Sequence, residues 1–190
     1  MPIELVWNTT EDEHGEALRA MFQNANKFHC AVAFVKASGF NMIEDKLEAH
    51  LRNNHPARLI IGLNFYQTDP YVLQKLLQWR QTYGHLELYV SPDDAIECFH
   101  PKIYAFNYPG NQSAILVGSA NMTAGGFGNN WECSLKVAIA NANNNPWLND
   151  VIGAMDSLID DGVVNELTQE VLDSYTKKYK KASALVPLYK

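Results

Sequence analysis

Four side chains in the stretch 99–135 have types and spacings that could do chemistry: His100, Lys102, Asn121 and Glu132. An imidazole can attack an electrophile or carry a proton, while an ammonium and an amide can stabilise oxygens on which charge develops. A carboxylate can accept from the second imidazole nitrogen and so fix the tautomer. His100 and Lys102 sit two apart at the head of a run of strand formers (Ile103, Tyr104, Ala105, Phe106), which directs both to one face of a strand. Asn121 closes Gly118-Ser119-Ala120-Asn121 after a second predicted strand, 113–117; small residues there let the backbone turn and pass close to a ligand, and Ser119 adds a hydroxyl. Beyond a loop carrying Gly125, Gly126 and Gly128, Glu132 opens a third strand with Leu135, Val137 and Ile139. Each residue alone has an ordinary explanation: a packed histidine, a solvated lysine, a turn that is only a turn.

Taken in order, His100-x-Lys102, Gly118-Ser119-x-Asn121 and Glu132, with ten residues between it and Asn121, resemble the HxK…GSxN…E signature of the phospholipase D superfamily. The pattern is most similar to small nuclease members with one motif per chain, including catalytic domains of restriction-type, metal-independent endonucleases. One position departs: the Asp that follows HxK in the family is Asn107 here, which bears on local loop support more than on the reaction. The resemblance implies a phospholipase D-like three-layer α/β/α sandwich with a mixed, largely parallel sheet. It also implies a phosphodiesterase without metal or other cofactor, an endonuclease on DNA rather than RNA, working through a phosphohistidine.

The family reaction uses two HxK motifs. The other histidines, His14, His29, His50, His55 and His85, are followed two positions later by Glu16, Ala31, Arg52, Ala57 and Glu87, so none supplies a second lysine. A complete site then needs two chains about a two-fold axis, and a homodimer is expected. The resemblance implies that one His100 attacks phosphorus while the other protonates the leaving oxygen. Lys102, Asn121 and Ser119 would hold the phosphate oxygens, and Glu132 would hold the imidazole.

The elements that must position these residues follow from periodicity. Residues 3–7, 28–35, 57–63 and 85–90 read as strands, 28–35 as one buried on both faces. Residues 12–26, with Asn8, Thr9, Thr10 and Glu11 as cap candidates, and 40–53 and 70–82 read as helices. Strands alternating with such helices imply parallel pairing through crossovers. From 96 onward strands follow one another directly, so that part of the sheet should be mixed or antiparallel. After the polar break 141–149 the chain reads as helical to its end, from about 146, with stripes Trp147, Val151, Met155, Leu158 and Leu167, Val171, Tyr175, Tyr179.

Composition bounds the rest. The 190 residues, 47% hydrophobic and 19% charged, suit one soluble domain, 1–190. The apolar ending 185–189 reads as a domain cut from a longer protein. No apolar run is long enough for a membrane span, the acidic N-terminus is unlike a signal peptide, and a cytoplasmic location is expected. Cys30, Cys98 and Cys133 read as buried reduced thiols. A net charge of −6 confines phosphate binding to a local patch; Lys177, Lys178, Lys180 and Lys181 are either a solvated helix end or such a patch. Asp93, Asp94 and Glu97 read as turn or surface residues, and Phe127 and Trp131 as core, rim or base-stacking groups. Two other functions fit the pattern: phospholipid hydrolysis or transfer, which needs an apolar mouth, and a non-catalytic nucleic-acid-binding dimerisation module.

Overall fold

A computed structural model describes residues 2–9 and 13–185. Thr10, Glu11 and Asp12 of the expected cap and helix start, and 186–189 of the apolar ending, lie outside the described residues. The elements are β1 (Ile3–Trp7), α1 (His14–Met21), β2 (Lys27–Val32), α2 (Ala37–Arg52), β3 (Ala57–Ile61), α3 (Pro70–Tyr83), β4 (Leu86–Val90), β5 (Lys102–Tyr108), β6 (Gln112–Gly118), β7 (Cys133–Ile139), α4 (Pro146–Asp160), β8 (Asn165–Glu166) and α5 (Gln169–Leu185). Among the described residues one sheet of eight strands runs in the order β1-β7-β6-β5-β2-β3-β4-β8.

The sheet is mixed. β2, β3 and β4 are parallel, as their helical crossovers require, and β5, β6, β7 and β1 continue from β2 by antiparallel pairing. β1, β6, β2, β3 and β4 therefore run one way, and β7, β5 and β8 the other. The last strand is absent from the sequence reading: between α4 and α5 the chain pairs Glu166 with Tyr89 and Asn165 with Val90, antiparallel at the edge of β4.

Side-chain alternation divides the strands between two faces. Phe28, Cys30 and Val32 of β2, with Leu59 and Leu88, face α1, α2, α3 and α5, where Phe40, Ile43, Leu47, Leu73, Leu76 and Tyr175 close the larger core. Residues of opposite parity, such as Ala105, Ile115, Val137, Ala31 and Ile60, face α4 through Leu148 and Met155. Among the described residues the architecture is an α/β/α sandwich with four helices on one face and one on the other. Full burial of side chains such as Ile43 or Leu47 contributes roughly 2 kcal/mol each.

Cys30 is buried, but Cys98 is exposed and Cys133 half-buried; Cys98 lies in the loop before β5 rather than in a strand. Lys178 forms an ion pair with Asp93 at 2.9 Å, tying α5 to the loop after β4. In α4 only Leu148 and Met155 are buried, so its apolar stripe is largely half-covered.

Candidate functional site

Register alone gathers the four motif residues. Lys102 pairs with Val32 at the C-terminal end of β2, where the parallel strands stop. Ile103 pairs with Val117, so the start of β5 lies level with the end of β6. Gly118 pairs with Ser134, so the start of β7 is beside them. One end of the sheet thus carries His100 and Lys102 entering β5, Ser119 and Asn121 leaving β6, and Glu132 entering β7. It is the carboxyl end of the parallel strands, beside β2, on whose two sides pairing changes from antiparallel to parallel, a place where open α/β sheets form crevices.

Each segment is held by backbone bonds. Ala33 N–H donates to Pro101 O at 2.9 Å, and Phe99 N–H donates to the buried amide oxygen of Asn64 at 3.1 Å, fixing the approach to His100. Lys36 N–H donates to Met122 O at 2.9 Å, and Tyr104, buried in β5, donates its hydroxyl to Ala120 O at 3.0 Å. These supports were not visible in the sequence, because they join residues far apart along the chain. The glycine loop is one π-helical turn, Gly125–Asn129, folded back so closely that a Cβ on Gly126 would stand 2.1 Å from Asn121 O.

Lys102 Nζ lies 2.5 Å from His100 Nδ1, 3.1 Å from Nε2 and 3.0 Å from the His100 carbonyl oxygen. His100 is exposed while Lys102 is 7% exposed, so the ammonium is anchored and the ring faces solvent. Desolvation and then the Lys102 charge lower the His100 pKa below its ordinary value, which favours neutral imidazole. Burial also lowers the Lys102 pKa, opposed by the Glu132 carboxylate. Ser119 Oγ donates a short hydrogen bond to Glu132 and accepts from Cys133 N–H at 3.0 Å. Within one chain the carboxylate is thus joined to Ser119, and among the described residues no hydrogen bond links it to the His100 ring. Among the described residues the buried Asn121 amide oxygen has no hydrogen-bond partner.

No protein-family profile and no curated protein matches the sequence. Solved structures do. Phosphatidylserine synthase from Haemophilus influenzae Rd KW20 is similar at TM-score 0.68 and 12% identity, over 96% of this chain and 46% of that one. Nuc from Salmonella typhimurium, a phospholipase D family member, is similar at TM-score 0.63 and 10% identity, over 88% of this chain and 99% of that one. NucT from Helicobacter pylori gives 0.58 and 14%, over 84% and 96%. The chain has the phospholipase D superfamily fold.

Within the phospholipase D fold, Asn107 lies in β5 and donates to Ser113 Oγ at 2.9 Å across the β5–β6 hairpin, supporting that turn. Phe127 is fully buried with its ring against Tyr104, which makes it core; Trp131 is 83% exposed beside Glu132. The loop after β4 and α4 enclose an apolar cleft of about 690 Å³ that reaches His100, lined by Ile96, Phe99, Pro101, Met155, Leu158 and Val163. No described helix is long and apolar enough to cross a membrane.

Proposed function

We propose that this chain is a metal-independent phosphodiesterase, an endonuclease that cleaves DNA through a phosphohistidine at a site completed by a second copy. The observation that carries the reading is the meeting of a solvent-facing, neutral-leaning imidazole with a buried ammonium at the sheet end that also bears Ser119, Asn121 and Glu132. In the free chain Lys102 engages the His100 ring; a phosphate oxygen competes for the same ammonium and so releases the imidazole. A nitrogen lone pair of His100 then attacks phosphorus. The bond from phosphorus to the leaving oxygen breaks, and the imidazolium of the partner's His100 gives that oxygen its proton. Water, losing a proton to the now neutral ring of the partner's His100, attacks the phosphohistidine, and both rings return to their first state. Lys102 and the Asn121 amide stabilise the five-coordinate phosphorus, a role in which one donor is worth about 3 kcal/mol.

The second copy is supported by surface as well as by motif count. On the α4 face of the sheet, Ile3, Leu5 and Trp7 of β1 and Leu135 of β7 lie beyond the cover of α4 and are 60%, 54%, 41% and 45% exposed. This apolar strip runs along β1 and β7 to Cys133, next to Glu132. An isologous contact there would bury it twice.

The apolar cleft beside His100 favours a second reading, hydrolysis or transfer on a phospholipid, whose acyl chain it could receive. Labelled single- and double-stranded DNA and phosphatidylserine vesicles, each incubated in EDTA with wild type and His100→Ala, separate the readings. Cleavage of DNA by wild type alone is expected. Release of a lipid headgroup with intact DNA would favour the second reading, and no turnover of either would leave a non-catalytic module.

A further inference from the structure

Behind the site lies a buried polar relay that the four motif residues do not include. Asn8, immediately after β1, His14 at the start of α1 and Ser134 in β7 are 4%, 0% and 3% exposed. The Asn8 amide oxygen accepts from His14 N–H at 3.0 Å and lies 2.5 Å from His14 Nδ1. That contact puts the Nδ1 proton toward Asn8, which leaves Nε2 as acceptor for the Ser134 hydroxyl at 2.8 Å. The Asn8 amide nitrogen uses both protons, on Gly126 O and Asn130 O, each at 3.0 Å. Its backbone N–H holds Glu132 O at 3.1 Å. Every polar group of Asn8 that points inward is therefore occupied.

The far end of the relay presses on the motif. A Cβ on Gly118 would stand 2.3 Å from Ser134 Oγ and 2.3 Å from Cys133 O, so the start of the Gly118–Asn121 turn lies directly on Ser134. Cys133, between Ser134 and Glu132, exchanges bonds with Ser119: its N–H reaches Ser119 Oγ, and its carbonyl receives Ser119 N–H at 3.1 Å. We infer that Asn8 and His14 are positioning residues, whose relay through Ser134 sets where Glu132, Ser119 and Asn121 stand relative to Lys102. Burial lowers the His14 pKa, so the ring stays neutral and the relay keeps one tautomer. His14 touches no reacting group. It acts through the strand start and the turn, whereas an ordinary core histidine would affect only stability.

The catalytic arm of this inference rests on the proposed phosphodiesterase reading, and the structural arm does not. The test compares wild type, His14→Ala, His14→Gln and Asn8→Asp, with His100→Ala as the control for the reaction. Glutamine can donate toward Asn8 and accept from Ser134; Asn8→Asp keeps the link to His14 and loses both donations to the glycine loop. Amide hydrogen exchange in peptides spanning 118–134 should quicken at least about tenfold in His14→Ala and Asn8→Asp at temperatures well below melting, and return toward wild type in His14→Gln. On a labelled oligonucleotide, kcat should fall by about 10- to 100-fold with KM little changed. The loss from His14→Ala should shrink in a Glu132→Gln background, as expected for residues acting through one another. Exchange in 118–134 and kcat both equal to wild type, with only the melting temperature lowered, would overturn the inference. If His14→Ala does not fold, His14→Gln and Asn8→Asp carry the same comparison. If wild type itself turns over no phosphodiester, the function fails, and the exchange measurement still decides the relay.

Discussion

The ammonium of Lys102 sits 2.5 Å from Nδ1 of His100, with the lysine buried and the histidine exposed. A buried positive charge against an imidazole disfavours a second positive charge on it, so the lysine tunes the ring, apart from the phosphate contact proposed for it. Removing the ammonium must then raise the His100 pKa. Lys102→Met is expected to move the His100 ring titration upward in an NMR pH series and to lower kcat by about 100-fold, the scale of one lost charge-stabilising donor. A titration unmoved by the substitution would show that desolvation alone sets the histidine.

Glu132 acts on Lys102 in the opposite direction: its carboxylate favours the charged ammonium. Glu132→Gln therefore lowers the Lys102 pKa further. The Lys102 titration should then move to lower pH, while both limbs of the pH–rate profile, set by one neutral and one protonated His100 ring, stay in place because the Glu132 carboxylate is not among the causes that shift His100. Ser119→Ala keeps the charge and removes only the hydroxyl that donates to Glu132, so its profile should keep the wild-type limbs at reduced height.

The exposed strip on β1 and β7 gives the proposed shared site a physical handle. Leu5→Lys and Leu135→Lys place charges on positions that pair directly across the two strands and already face outward, so folding should tolerate them. Sedimentation should show a dimer for wild type and a monomer for the double variant, with phosphodiesterase activity lost in parallel. A monomeric wild type that turns over substrate would remove the need for a partner.

His29 offers a test of the fold itself. It is 2% exposed, and its pKa is depressed to about 4, first by burial and then by Lys27 and Arg58. The unfolded chain takes up the proton near 6.5, so stability is full above that pH and declines as pH falls toward 4, by about 3 kcal/mol in all for this one group. Burial shifts His14 and His50 in the same direction. Urea midpoints measured at intervals between pH 7 and 4 should fall steadily for wild type and less steeply for His29→Leu.

What the sequence made legible was local or periodic. The buried runs of β2 and β3, the helices between them, and the change to direct strand succession at β5 all follow from spacing within one element and its neighbours. The order of His100, Lys102, Ser119, Asn121 and Glu132 was legible because each sits beside a predicted strand end. Contacts between distant segments left no such trace. Asn8 reads as a helix cap, yet its side chain spans β1, α1 and the glycine loop. β8 is two residues long, too short for any alternation to show. Glu132 reads as a partner for the imidazole, but in one chain the turn brings Ser119 to it first. Ile3, Leu5 and Trp7 of β1 make an apolar edge by composition, and only the sheet order reveals that nothing in the described chain covers it.

The covalent intermediate tests the account most directly. Wild-type protein turning over an oligonucleotide in EDTA, quenched in alkali to preserve phosphoramidate bonds and analysed by peptide mass spectrometry, should carry a phosphoryl-linked adduct on His100. The adduct should be absent from His100→Ala, which should also be inactive. Turnover that persists in His100→Ala, or an adduct on a different residue, would contradict the mechanism.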